Sequence, residues 1–407
     1  MPISNVEATS KHINFELLRL KSSSSSSAID FRHLLSPHLL APLLYLTIPL
    51  RLFFILFYFF IFFSEILIKM GGGPVGVDFT VFKGSGTGAI VEATGHRDPG
   101  PTEVIVKITH CGVCGTDEHY LHADQGLGHE GVGIITEVGS MVHALSEFRV
   151  GDRVGMGWFH KFCGYCDACL RGNQNQCANK TEFGTADIDQ GCFGTAVAWD
   201  ISALFKIPDE IASEHAGPLM CGGATVWHPL ADFGLKAGSR VGVLGVGGLG
   251  HLAIQFAAKM GMEVVVFSGT ESKRQQAIEL GASEFYVTSS GKPLEGIEKV
   301  NALLITANVA PDMALYFPVL AQGALIFPMT ISAENLKMSP LDLVLGNLRV
   351  IGTAIGPAAS IRAMLRFAEK QGIKPIVETF PMTKAGVEEA MQKLREGRMR
   401  YRGVLVV

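Results

Sequence analysis

Four cysteines crowd into one short stretch, CGYCDACLRGNQNQC, at Cys163, Cys166, Cys169 and Cys177. Neutral thiols gain nothing from C-x2-C-x2-C-x7-C spacing in a polar loop punctuated by Gly164 and Gly172. Thiolates around Zn²⁺ do, because the ion takes four soft ligands tetrahedrally and has no redox chemistry of its own. Four protein ligands leave no open coordination position. The spacing therefore predicts a structural zinc that substitutes for a core in an irregular loop.

A second set of donors is dispersed. CGVCGTDEH carries Cys114, GLGHEG carries His129 and Glu130, and PLMCGG carries Cys221. Cys114, His129 and Cys221 would make a Cys₂His site one ligand short of four, the form of a catalytic zinc that keeps a position for water or substrate. The three lie on distant segments, so spacing alone does not decide this, and a lone histidine is more often a core or surface residue. Two neighbours add weight. Asp117 is placed to accept the other N–H of His129 and fix its tautomer, and Glu130 to do similar work outside the ligand set. Cys111 and Cys192 are read as small apolar residues.

These groups need elements to hold them. The alternating stretch VIVKITH, 104–110, reads as a strand leading to Cys114. Residues 239–282 read strand, turn, helix, strand, turn, helix. VGVL is a short buried strand, and Gly245, Gly247 and Gly250 form G-x-G-x-x-G, with Gly248 and Leu249 in the same turn. An apolar stripe at 249, 252, 253, 256, 257 and 260 predicts a helix over 249–260, and MEVVVF a parallel strand. In that setting the glycines let a backbone approach a pyrophosphate seated on the helix N-terminus. The tip of the second strand selects the dinucleotide. NAD(H) asks for a carboxylate there, whereas Ser268, Gly269 and Thr270 with Lys273 and Arg274 behind them suit a 2′-phosphate. This predicts NADP(H); the alternative is that the two cations are the solvated start of a helix.

With 407 residues the chain is long enough for two or three domains. Its net charge of −4 gives no basic footprint, which argues against nucleic-acid binding. Eight cysteines, clustered in a chain of this size, point to metal ligation by most of them in a reducing compartment rather than to disulfides. Residues 1–69 differ from the rest: a six-serine run, 22–27, precedes the apolar stretch 39–63. As one helix that stretch would be roughly 37 Å long, enough to cross a bilayer. Arg51 near its middle and Pro42 and Pro49 count against a span. Three readings compete: a membrane anchor, a signal peptide, or a dispensable extension upstream of a working protein that begins at Met70. The expected localisation is cytoplasmic for the catalytic part, with membrane association through 39–63 under the first reading.

Together, CGVCGTDEH, GHEGVGIITEVG, FRVGDRVG, CGYCDACLRGNQNQC, PLMCGGATVWHPL, GVLGVGGLGHLAIQFAAKMG and VIGTAIG resemble the zinc-dependent medium-chain alcohol dehydrogenases over about 75–407. The branch they resemble most is the cinnamyl-alcohol-dehydrogenase type, NADP-dependent aldehyde reductases. The resemblance implies an α/β fold in which a GroES-like β-rich catalytic domain, 70–222, carries an inserted Rossmann domain, 223–354, and is completed by 355–407. It implies two zincs per subunit, with Cys114, His129 and Cys221 on the catalytic ion. It places Thr116 beside the substrate oxygen, His119 in a proton relay to solvent and Thr225 near the nicotinamide. It implies a primary alcohol or aldehyde, aromatic or aliphatic, as substrate, and a homodimer or homotetramer with contacts at the edge of the Rossmann sheet. The stretch between Cys114 and His129 is shorter than in many members. Trp158, Phe159, Trp199 and Trp227 are candidates for an aromatic substrate pocket or for plain core. Rival readings are an NAD-linked alcohol or polyol dehydrogenase, a non-catalytic zinc protein, and a membrane-tethered adaptor.

Overall fold

Two sheets organise the protein. In the computed structural model the described residues are 76–289, 294–329, 331 and 335–407, and they belong to a single compact unit. The first sheet is six-stranded, in the order Glu284–Val287, Glu263–Ser268, Arg240–Leu244, Val300–Ile305, Leu320–Pro328, Arg349–Val350, and every pairing in it is parallel. Its inner strands are continuous apolar runs because both faces are covered. Val264 and Val266 point into one core cluster, while Val265 and Phe267 point into the other. Read from Arg240–Leu244 outward the order is that of a doubly wound dinucleotide fold, and the switch point lies between Arg240–Leu244 and Val300–Ile305.

The second sheet is mixed. Its order is Val377–Pro381, Arg402–Val406, Glu103–Val113, Gly131–Val138, Arg153–Met156, Leu204–Lys206, and Ala196–Asp200 also pairs with Glu103–Val113. The strand Glu103–Val113 is the spine: one edge takes Gly131–Val138, and the other is shared between Ala196–Asp200 and the C-terminal strand. The last segment of the chain therefore closes the sheet that its early segments began. This is the expected fold class, a GroES-like domain with a Rossmann-type parallel sheet inserted in it. The helix expected over 249–260 runs Gly250–Lys259, capped by Leu249 and Met260.

The expected localisation is corrected. Among the described residues no helix is long and apolar enough to cross a membrane. The stretch 39–63 that carried the membrane reading lies, with all of 1–69, outside the described residues.

Candidate active site

Cys114 leaves the end of the strand Glu103–Val113 and caps the short helix Gly115–His119. Its backbone N–H donates to Asp117 Oδ2 at 3.0 Å. The other oxygen of Asp117 accepts from the Gly128 N–H at 3.1 Å and pairs with His129 Nδ1 at 3.0 Å. One fully buried carboxylate thus fixes the turn that follows Cys114, the turn before His129 and the imidazole itself. Gly128 is required there. Its φ is +88°, and a Cβ would meet the Phe193 backbone nitrogen at 2.5 Å. Cys221 comes from a π-helical turn, Leu219–Gly223, between the helices Ser213–Pro218 and Ala224–Asp232. Such turns displace one residue from the helical path and are frequent at functional sites.

These elements bring one donor atom each from Cys114, His129, Glu130 and Cys221 within 4.8 Å of one another. His129 Nε2 is buried and has no hydrogen-bond partner. With Nδ1 taken by Asp117, that nitrogen is left beside the two sulfurs, an arrangement that fits a zinc ligand set. The Cys221 thiol against Cys114 drives the Cys114 pKa well below the usual thiol value, and the same contact raises Cys221. Burial works against charge on His129, but Asp117 and Cys114 outweigh it and raise its pKa well above the usual value. A cation would let both sulfurs be thiolates and the imidazole be neutral.

Glu130 pairs with Arg402 of the C-terminal strand, both side chains being buried. Burial pushes the Glu130 pKa up to about 7 against the pull of Arg402. Nothing in the spacing of the sequence signals Arg402, whose partner lies on a distant segment. Thr116 is buried, its Oγ1 3.6 Å from Cys114 Sγ, and His119 is exposed at the far end of the same helix.

Of the four aromatic candidates only Trp158 reaches the site, its ring 5.5 Å from that of His129. Tyr120 and Phe183 complete the wall: the Phe183 ring lies 4.9 Å from His129 and 5.0 Å from Tyr120. The other three are core. Phe159 packs on Phe162, Trp199 donates to the Ala203 carbonyl, and Trp227 donates to Ser360 Oγ while packing on Phe256 and Phe367. Cys111 and Cys192 are fully buried, as small apolar residues should be.

The glycine turn follows the strand Arg240–Leu244. Gly245 has φ +97°, and a Cβ would meet Ala307 Cα at 2.9 Å; a Cβ on Gly250 would collide with the Gly245 carbonyl oxygen. At Gly247 a Cβ would meet nothing within 4 Å, so the turn is open where a pyrophosphate would lie. Gly248 faces Arg402 and Tyr401, and Leu249 touches the turn that carries Cys221, 3.5 Å from where a Gly222 Cβ would sit. The donor cluster and the cofactor turn are therefore neighbours. His251, unremarked in the sequence, pins this region. Its Nε2 accepts from the Ile376 N–H at 3.2 Å, so Nδ1 is the protonated nitrogen and donates to the Gly247 carbonyl at 2.9 Å. Its ring stacks on Tyr401 at 4.9 Å. Burial lowers its pKa to about 4.

At the tip of the next strand Ser268 is buried, with its hydroxyl on the Thr270 backbone, while Gly269 and Thr270 are exposed. Lys273 lies over the Tyr401 ring, and Arg274 turns away to Glu271 and the Phe285 carbonyl. Thr225 is half-buried in the helix Ala224–Asp232. In the cysteine loop the sulfurs of Cys163, Cys166, Cys169 and Cys177 lie within 4.8 Å of one another, Cys177 to Cys163 at 3.5 Å. Backbone N–H groups of Cys169 and Ala178 pull the Cys166 pKa down to about 6. Four clustered thiols with no disulfide between them fit a tetrahedral Zn²⁺ site.

A dinucleotide-type parallel sheet set beside a buried cysteine–histidine donor cluster is the arrangement of a dehydrogenase. The sequence comparisons name the family. The model of the alcohol dehydrogenase GroES-like domain matches residues 100–209, and that of the zinc-binding dehydrogenase matches 248–370. The chain is 34% identical over 333 residues to an aldehyde reductase from Synechocystis sp., covering 78% of this chain and 97% of the relative. Among solved structures it matches a cinnamyl alcohol dehydrogenase from Sorghum bicolor with a TM-score of 0.75 at 27% identity, covering 81% of this chain and 98% of that one. A cinnamyl alcohol dehydrogenase from Helicobacter pylori, solved with NADP(H), matches with a TM-score of 0.74 at 26% identity, covering 82% and 99%. The chain belongs to the zinc-binding alcohol dehydrogenase family, oxidoreductases that interconvert alcohols and aldehydes.

Proposed function

We propose that this protein is a zinc-dependent, NADP(H)-linked alcohol dehydrogenase or aldehyde reductase acting on primary alcohols and aldehydes. The observation that carries the reading is the buried, unpartnered His129 Nε2 in the cluster with Cys114 and Cys221. Cys114, His129 and Cys221 would hold the catalytic zinc, and Cys163, Cys166, Cys169 and Cys177 the structural one, two per subunit. When bound, the catalytic zinc supplies a Lewis acid for the alcohol or carbonyl oxygen, and the nicotinamide donates or takes up hydride at the neighbouring carbon.

The chain's own residues do the rest. Asp117 holds the His129 imidazole in one tautomer and orientation. Glu130, tied to Arg402, sets the charge behind the cluster. Thr116 holds the exchanging proton at Oγ1, and His119 passes it to solvent from the exposed end of the same helix. Tyr120, Trp158 and Phe183 form the apolar wall that keeps water from the reacting carbon.

On the cofactor side, Gly245, Gly247, Gly248, Leu249 and Gly250 would cradle the pyrophosphate, with Thr225 beside the nicotinamide. Ser268, Gly269, Thr270 and Lys273 would receive the 2′-phosphate. Glu271 does not oppose this, because its carboxylate is engaged by Arg274. The NADP(H)-bound relative supports the preference. The division 70–222, 223–354 and 355–407 is kept for the domains. A homodimer or homotetramer is supported by exposed Leu341, Val344, Leu345 and Val350 at the outer edge of the parallel sheet.

Zinc analysis of the full chain should give two ions per subunit, and one in Cys114→Ala; two ions retained in that variant would remove Cys114 from the site. Ser268→Asp should weaken NADPH binding about 100-fold by placing a carboxylate against the phosphate. Titration of NADPH fluorescence measures this, and an unchanged Kd would point to NAD(H).

A further inference from the structure

Two cations distant in sequence, Lys273 and Arg400, are held around Tyr401 and Gln276, just beyond the strand Glu263–Ser268. Lys273 Nζ lies 4.7 Å over the Tyr401 ring. The preceding residue, Arg400, donates from Nη2 to Gln276 Oε1 at 3.0 Å, and the Tyr401 hydroxyl donates to the same oxygen at 2.8 Å. Gln276 belongs to the helix Arg274–Glu279, next to Lys273. Arg400 and Tyr401 lead directly into the C-terminal strand Arg402–Val406 of the mixed sheet. A short strap from the catalytic sheet is thus fastened to the segment that would read the adenosine end of the cofactor.

The acids around these cations are committed elsewhere. Glu271 pairs with Arg274. Glu378 pairs with Lys393 and accepts the Arg400 backbone N–H at 2.6 Å. Among the described residues no carboxylate is paired with the Lys273 ammonium or the Arg400 guanidinium. Burial, reinforced by the charge of Arg400, lowers the Lys273 pKa from the usual lysine value. Glu378 feels the Arg400 charge but forms its ion pair with Lys393, so two like charges held near one another without an ion pair of their own are stabilised by an anion that touches both. The chemistry of that anion follows from its place: a phosphate monoester on the ribose next to Ser268, Gly269 and Thr270.

We propose that Arg400 is a specificity-determining residue that binds the 2′-phosphate of the cofactor together with Lys273. The proposal rests on the NADP(H) reading above. It makes discrimination between dinucleotides a property of both sheets, since one phosphate ligand arrives on the strand Glu263–Ser268 side and the other on the C-terminal strap.

Binding of two cofactor fragments to the full chain tests this without turnover. Calorimetric titration with 2′,5′-ADP and 5′-AMP reads the contribution of the 2′-phosphate alone. The parent protein should bind 2′,5′-ADP at least 100-fold more tightly than 5′-AMP. Arg400→Ala should close that ratio about tenfold with 5′-AMP affinity unchanged, and Arg400→Lys should recover part of it. An unchanged ratio in Arg400→Ala, with Lys273→Ala closing it, would overturn the role of Arg400 while leaving the NADP(H) reading standing. No preference in the parent protein would overturn both. Exposed Arg400 is not a core residue, and an unshifted melting temperature in Arg400→Ala confirms that the fold is intact.

Discussion

The cysteine loop 163–177 and the cluster of Cys114, His129 and Cys221 are both built for a soft metal, yet they are made in opposite ways. The loop draws all four donors from one stretch of chain, whose short helix Asp167–Leu170 and single turn Gln174–Gln176 bury little besides the cysteines. A bound metal would serve as its core. The other cluster draws donors from a strand end, a strand start and a π-helical turn, each fixed by sheet pairing or helix packing and by the buried Asp117. Its scaffold is expected to stand without metal. Under the proposed assignment the first would be complete with four ligands, and the second, with Glu130 held by Arg402, would keep a position for substrate, so the difference in construction would also be a difference in task.

Breaking each site should therefore produce opposite phenotypes. Cys114→Ala should lower kcat on the order of 10³-fold or more while the melting temperature stays within a few degrees of the parent, on the general scaling for a domain this size. A folded Cys114→Ala protein with the parental kcat would remove this residue from the chemistry. Cys163→Ser should do the reverse, lowering the melting temperature by roughly 5–10 °C with kcat within about twofold of the parent. Differential scanning calorimetry beside initial rates separates the two outcomes; an inactive but equally stable Cys163→Ser protein would erase the contrast.

The scaffold of the dispersed site also carries its own titratable pin. His251 is neutral in the fold, with a pKa near 4 against an ordinary value of 6.5. The unfolded chain binds a proton there first as pH falls. The stabilisation is therefore complete above pH 6.5 and is lost as pH drops toward 4, amounting to about 3 kcal/mol at most. His251→Gln should be less stable than the parent at neutral pH and lose less stability between pH 6.5 and 4. Denaturant midpoints across that range check it, and parallel curves for the two proteins would assign the acid sensitivity elsewhere.

How far each region could be read in the sequence follows from the same contrast. Cys163, Cys166, Cys169 and Cys177 announce themselves because local spacing is the site. The turn from Gly245 to Gly250 does so because a strand and an apolar helical stripe flank it. Cys221 could be placed with Cys114 and His129 only through resemblance, since pairing of distant strands sets that geometry. Arg402, His251 and Arg400 were missed for the same reason: each acts on a partner fixed by the C-terminal strand, and an isolated arginine or histidine carries no spacing signal. Aromatic residues are ambiguous for another cause. Trp158 and Trp199 are alike in sequence, and only their neighbours, His129 for one and the Ala203 carbonyl for the other, separate site from core.

The most direct test is the initial rate of the full chain with a panel of aromatic and aliphatic aldehydes, NADPH and NADH run in parallel. Turnover with NADPH at least tenfold faster than with NADH, abolished in Cys114→Ala, is the predicted result. Equal or faster turnover with NADH would contradict the cofactor assignment, and no turnover with either in a folded protein holding two zincs would contradict the catalytic role itself.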